Sequence, residues 1–296
     1  MSRSAGYMLL SVTGFAIMGG AVKWVSQWGI PVLEIVAARA LISLILSYLD
    51  VWRKGISPWG RHPSLLLARG AVGSLALLCT YYSVSTLPLA EAIVFQYLNP
   101  VFTAMIALVF LKERLDSALV VCLLLSFAGL LLVARPDVVQ SGLTTRLPTF
   151  AVSIAVLGAF LSAVAYVLVK KLSVSEDPST IIFYFPLVAL PVSLVLLGDD
   201  FVMPDAMTGL GLLTVGVCTQ IGQVGLTFAM QTETAGRVTS FSYLQIVFST
   251  LLGWWVFGEV PIIWTWIGAV LIVLGSFVNV LWHTPVRAVH RANQRH

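Results

Sequence analysis

An all-α integral membrane protein with ten transmembrane helices, arranged as an inverted five-plus-five repeat, is the fold class that this 296-residue sequence predicts. Three observations carry the expectation. Apolar residues make up 58% of the chain against 10% charged, and the mean hydropathy is +0.95, far from the composition of a water-soluble domain. Ten stretches close to the roughly 20 residues that a spanning helix needs follow one another between short polar breaks. Finally, the sequence repeats itself at an offset of 146 residues: Phe95, Tyr97, Leu98, Val101, Phe102, Glu113, Leu125 and Gly129 align with Phe241, Tyr243, Leu244, Val247, Phe248, Glu259, Leu271 and Gly275. Glu113 and Glu259 each close one apolar span just before another begins.

The spans lie near 5–27, 32–51, 64–86, 89–111, 117–134, 149–170, 179–198, 207–230, 234–257 and 262–282. Five spans per half is an odd number, so the second half enters the membrane in the opposite sense to the first. Residues 1–134 form the first repeat, 135–148 an external linker broken by Pro136, Gly142 and Pro148, 149–284 the second repeat, and 285–296 a basic cytoplasmic tail. The first span carries Lys23 and belongs to the repeat, so it is not expected to be a cleaved signal. With the amino terminus inside, the inner segments collect Arg3, Arg53, Lys54, Arg61, Lys112, Arg114, Lys170, Lys171, Arg237, Arg287, Arg291 and Arg295, and the outer ones only Arg135 and Arg146. This positive-inside bias puts both termini in the cytoplasm of a cell (inner) membrane protein. The net charge of +4 is thus a topology signal and no nucleic acid is expected as a partner. Trp28, Trp52, Trp59, Trp264, Trp266 and Trp282 sit near span ends as interface anchors.

A charge at the centre of a spanning helix costs about 2.5–3.5 kcal/mol on insertion scales, so each one needs a reason to be there. Lys23, late in the first span, either snorkels outward or faces a cavity. Arg39, a turn or two into the second, lies too deep for an easy exit and needs a carboxylate, backbone carbonyls or an anionic ligand. The third span contributes the small-residue run ARGAVGS, suited to close helix approach, and then Tyr81 and Tyr82. Glu91 opens the fourth, where its charge favours a helix amino terminus. Gln96, Asn99 and Thr103 follow at helical spacing, with Tyr97 beside them, and Pro100 removes a backbone donor near mid-membrane. Tyr166 lies in the sixth span, and Pro186 and Pro191 kink the seventh.

In the eighth span Gln220, Gln223, Thr227 and Gln231 recur every three to four residues, a polar stripe that faces the bundle or water. It either bonds to neighbouring helices or contacts a ligand. The ninth carries Arg237, Tyr243 and Gln245. Arg237 occupies the repeat position of Glu91, so equivalent sites near opposite membrane faces carry opposite charge, an arrangement suited to gating. Glu91 is also the acidic candidate for proton coupling. Glu113 and Glu259 read as turn or cap residues. The candidate substrate contacts are therefore Lys23, Arg39, Tyr81, Tyr82, Gln96, Tyr97, Asn99, Tyr166, Gln220, Gln223, Thr227, Tyr243 and Gln245, with Glu91 and Arg237 for coupling or gating. Cys79, Cys122 and Cys218 show no metal-ligand spacing, and neither a metal nor a cofactor is expected.

The run LAEAIVFQYLNPVFTAMIALVFLKE at 89–113, followed by RLDSALVVCLLLSFAGLLLV, resembles the drug/metabolite transporter superfamily in its EamA branch. The second copy, AGRVTSFSYLQIVFSTLLGWWVFGEVPIIWTWIGAVLIVLGSFV, is similar, with Gln245-Ile246 in place of Asn99-Pro100. Arg39, in EIVAARALISLIL, extends the likeness towards the start. The resemblance implies ten helices around a central cavity, alternating access without ATP, and a small-molecule substrate; amino acids, sugars, nucleotides, vitamins and metallophores all remain open. A P-loop is absent, which agrees with gradient-driven transport. An intramembrane enzyme would need a paired acid and base, a metal set or an activated nucleophile in the bilayer, and the spans hold no HExxH, paired Asp motif or interior His. A receptor would be marked by a substantial soluble domain. The expectation is a non-enzymatic secondary transporter of a small polar organic metabolite, amino-acid-like, carboxylate-bearing or metallophore-like, that works as an exporter; an uptake carrier or exchanger is the alternative. The lipid bilayer and protons are its other expected partners, and the sequence carries no signal for an oligomeric state.

Overall fold

The computed structural model describes residues 3–87, 89–113, 116–134 and 148–281, with the side chains of residues 3 and 89–91 left out. Among the described residues every regular element is helical: α1 (Arg3–Ser26), α2 (Val32–Arg53), α3 (Pro63–Thr86), α4 (Leu89–Gln96), α5 (Asn99–Phe110), α6 (Ser117–Ala134), α7 (Thr149–Leu172), α8 (Pro178–Leu197), α9 (Ala206–Thr232), α10 (Ala235–Ser240), α11 (Leu244–Phe257) and α12 (Ile263–Leu281). In hydrocarbon each backbone polar group has to be satisfied within the protein, and long apolar helices meet that condition within a single segment. They make ten candidate spans, because α4 with α5, and α10 with α11, each share one. Their outer surface is apolar, with Phe110, Trp255 and Val195 strongly exposed, as a lipid-facing surface requires. Trp28, Trp52 and Trp59 are also exposed near helix ends, whereas Trp282 lies outside the described residues.

The packing displays the inverted repeat directly. Helix α1 packs on α9 and its counterpart α7 packs on α3; α2 meets its own counterpart α8, and α6 meets α12. Single contacts repeat as well. A Cβ on Gly70 would strike Val188, and one on Gly216 would strike Ile42, the same pair displaced by the repeat offset in both partners. Helices α6 and α12 cross closely at Gly129, where an added Cβ would come within 2.5 Å of the Gly268 carbonyl.

The spans expected at 89–111 and 234–257 are interrupted at matching places. Helix α4 ends at Gln96 and α5 restarts at Asn99; α10 passes through a 3-10 turn, Phe241–Tyr243, into α11. Pro100 sits in the first turn of α5, where its missing N–H removes the donor that the Gln96 carbonyl would have received in a continuous helix. Both spans then end in the same way. Lys112 (φ 54°) and Gly258 (φ 67°) are left-handed and hold the repeat positions of one another, and the Glu113 and Glu259 amides reach back to the Ala107 and Gly253 carbonyls at 3.2 and 3.1 Å. The shared cap fixes where each glutamate leaves its helix.

Candidate substrate cavity

The broken spans meet at the centre of the bundle. Tyr97 and Tyr243, equivalent residues 146 apart, stack with centroids 5.7 Å apart, and the Tyr243 hydroxyl donates to the Tyr97 carbonyl at 2.8 Å. Beside them lies a cavity of about 660 Å³ lined by Phe15, Ile93, Gln96, Tyr97, Asn99, Leu130, Tyr166, Leu226 and Gln245, which runs along α6 to Ala134 and reaches Glu259. A second space of about 200 Å³ adjoins it, lined by Arg39, Arg69, Thr80, Ser162, Phe185 and Gln223. Phe15, Gln96, Tyr166 and Gln245 line both, so the two are continuous. The whole lies between the repeats, with α1 to α6, α7 to α9 and α11 all represented in its walls.

Of the expected contacts, Arg39, Gln96, Tyr97, Asn99, Tyr166, Gln223 and Gln245 line this space. Others lie elsewhere. Gln220 turns to α2, where it accepts from Ser43 Oγ at 2.5 Å and donates to Ser47 Oγ at 3.0 Å. Thr227 is buried and bonds back to the Gln223 carbonyl, and Tyr243 is buried behind Tyr97. Tyr82 packs edge-on against Phe150 at the exposed periphery. Tyr81 is absent from the lining but lies within electrostatic range of Arg39. Lys23 pairs with Glu259 over the Phe257 ring, at the mouth rather than the centre. Arg237 is at the opposite end, in an ion pair with Asp116. The side chain of Glu91 lies outside the described residues.

The two ends of the bundle differ. At the end shared by Lys54, Glu113 and Arg237, polar clasps tie the helices together. The Glu113 carboxylate accepts the Ala235 N–H at 2.9 and 3.0 Å, capping α10, and burial pushes its pKa up despite that bond. Lys170 donates to the Met230 and Glu233 carbonyls at 2.7 and 2.6 Å, satisfying the end of α9. Glu176 accepts the Arg61 and His62 amides, the closest at 2.6 Å. At the other end Glu259, the repeat equivalent of Glu113, is 57% exposed and the cavity reaches it. The cavity therefore opens on the Glu259 face and is sealed on the Glu113 face.

Arg69 is the functional candidate that the sequence reading passed over. It is only 4% exposed, its Nη2 donates to Gln223 Oε1 at 3.3 Å, and its Nε and Nη1 have no partner among the described residues. Its guanidinium carbon sits 4.8 Å from the Phe185 ring centroid, and Arg39 approaches the same ring at 5.8 Å. Arg39 and Phe185 are themselves equivalent positions of the two repeats.

Comparison with known proteins agrees with this architecture. A model of the EamA-like transporter family matches the chain twice, over residues 3–135 and 149–281. The pseudopaline exporter CntI of Pseudomonas aeruginosa is 35% identical over 88% of this chain and 89% of its own length. Solute carrier family 35 member G1 of Mus musculus is 31% identical over 91% of this chain and 76% of its own, and the riboflavin transporter of Vibrio cholerae 30% identical over 95% and 94%. One solved crystal structure superposes with a TM-score of 0.83, covering 95% of this chain and 97% of that one, at 19% identity, and so bears on the fold alone.

Proposed function

The chain belongs to the EamA-like transporter family and is a multi-pass membrane transporter, and from that premise we propose that it exports a small, carboxylate-bearing polar metabolite by alternating access. The observation that carries the substrate class is the cavity between the repeats, where Arg39 and the amides of Gln96, Gln223 and Gln245 converge. A guanidinium and amides recognise a carboxylate with polar neighbours, and they stand between the halves that rock in transporters of inverted-repeat design. The pseudopaline exporter among the relatives supports the direction. On the positive-inside bias, the Glu259 face is external, both termini are cytoplasmic, and the conformation described is open to the outside. Lys23 and Glu259 guard that mouth, and Glu91 is the proposed site of proton coupling.

The test is flux into and out of proteoliposomes charged with pooled labelled metabolites, with and without a pH gradient. Gradient-dependent movement of a carboxylate-bearing solute is expected, and Arg39→Gln and Glu91→Gln are expected to cut flux at least tenfold while the protein stays folded. No movement of any solute by folded protein overturns the transport reading. Normal flux in both variants overturns the assigned site. The riboflavin transporter among the relatives supports a second reading, uptake by the same cavity, which the sidedness of the same flux measurement separates from export.

A further inference from the structure

Arg39 and Arg69 stand on one aromatic ring, and among the described residues no carboxylate pairs with either of them. Among the described residues the ion pairs join Lys23 to Glu259, Arg53 and Lys54 to Asp50, Lys54 to Asp177, and Arg237 to Asp116; the two cavity arginines are in none. Among the described residues Arg39 donates to the weak acceptor Met18 Sδ alone, at 3.8 Å. Arg69 has one amide oxygen and two unpartnered nitrogens. A buried ion without a counterion is penalised by the loss of its hydration, and a second like charge nearby adds to the penalty. The face of Phe185 offsets part of this for each guanidinium and holds both towards the same space.

We propose that this smaller space is a dianion site, in which Arg39 and Arg69 each take one carboxylate of a substrate that bears two. The proposal rests on the reading of the cavity as the transport site and deepens it. A guanidinium presents a planar fork that matches a carboxylate in two parallel bonds, and two forks call for two carboxylates. One carboxylate leaves an arginine uncompensated; two neutralise the site. The body of the substrate extends past Gln96, Tyr166 and Gln245 into the larger cavity, whose Ile93, Leu130, Leu226 and Ile246 suit an organic skeleton. The carboxylates therefore lead into the bundle and the skeleton lies towards the open face.

The experiment measures binding to the full chain in nanodiscs, by calorimetry and thermal shift, for the straight-chain diacids from succinate to suberate, their monomethyl esters, and inorganic phosphate. At least one diacid is expected to bind about tenfold or more tighter than its monoester, the difference of one charge-assisted pairing. Arg39→Gln and Arg69→Gln are each expected to weaken the diacid by about 10- to 100-fold and to abolish its advantage over the monoester. Arg69→Gln without ligand is expected to melt no lower than wild type, because it removes a buried uncompensated charge. Arg69→Lys, which keeps the charge and loses the fork, gives an intermediate affinity and serves if the Gln variant does not fold.

Equal binding of diacid and monoester, or no binding by any diacid, overturns the proposal. Phosphate binding as tightly as the best diacid overturns it in favour of a single doubly charged group. Diacid binding without flux leaves the dianion site standing and removes the transport reading. Flux that is unchanged in both arginine variants does the reverse.

Discussion

Charged side chains in this protein do different work according to what surrounds them. The Lys23–Glu259 pair is open to solvent on both sides, 41% and 57% exposed, and such pairs contribute about 0–1 kcal/mol. Glu113, at the equivalent position, is half-buried and caps α10. Thermal unfolding in detergent is therefore expected to show less than about 1 kcal/mol lost in Glu259→Ala and about 0.5–2 kcal/mol in Glu113→Ala. Equal effects would contradict the difference in environment. The sequence made Lys23 and Arg39 visible because each interrupts an apolar run. Arg69 was obscured by its setting, only six residues after Pro63 and among small residues that point to close packing. Two signals were available: its span contains no acid to pair with it, and its repeat equivalent is the apolar Val215. Gln220 and Gln223 share one polar stripe, yet α9 is wedged between other helices, and the turn between these two residues sends one to α2 and the other to the cavity.

The helices owe their ends to local chemistry that the sequence displays. Asp177 caps α8 by accepting the Ser179 N–H at 2.8 Å and pairs with Lys54 at 3.0 Å, with Pro178 in the first helical turn. Partial burial pushes the Asp177 pKa up, but these bonds outweigh it and the net shift is below the ordinary 3.8; burial lowers the Lys54 pKa, but Asp177 and Asp50 outweigh it and raise it. A lowered carboxylate pKa means a contribution fully present above pH 3.8 and lost as pH falls through the folded-state value. Asp177→Asn keeps a cap acceptor but cannot titrate, so its unfolding curve is expected to flatten on that acid limb relative to wild type; an identical limb would assign the pH dependence elsewhere. Asp177→Ala also loses the cap, about 0.5–2 kcal/mol. The interruptions of the fourth and ninth spans were less legible. Pro100 marked the first, but nothing in FSYLQIVF breaks a helix, and the 3-10 turn there coincides with the stacking of Tyr243 onto Tyr97 across the bundle.

The whole molecule is symmetric in plan and asymmetric in state. Glu113 caps α10 at Ala235 while Glu259, its copy, is turned to Lys23; the position equivalent to Ala235 is Leu89, at the start of α4. An inverted repeat that rocks exchanges the roles of its halves. The opposite state is thus expected to cap α4 with Glu259 and to release Glu113. Cysteines placed at 113 and 235, in a background without Cys79, Cys122 and Cys218, are expected to cross-link in the substrate-free state, and cysteines at 259 and 89 only as the cavity turns to the other face. Simultaneous cross-linking of both pairs in one molecule would exclude the exchange. The ten spans and the correspondence between the two halves were legible from hydropathy and the offset alone, because bilayer thickness fixes the one and duplication the other. Which face stands open was not, since both states use the same sequence.

A contact between residue n and its own repeat copy, as at Tyr97 and Tyr243, obeys the rule of a two-fold dimer interface: the side chain has to be complementary to itself. Tyrosine meets that rule by stacking. Arginine does not, and positions 39 and 185 face one another in the same manner. Two arginines there would repel, so only a fused chain, free to write each half separately, can place phenylalanine opposite Arg39 and convert a forbidden self-contact into a seat for a cation.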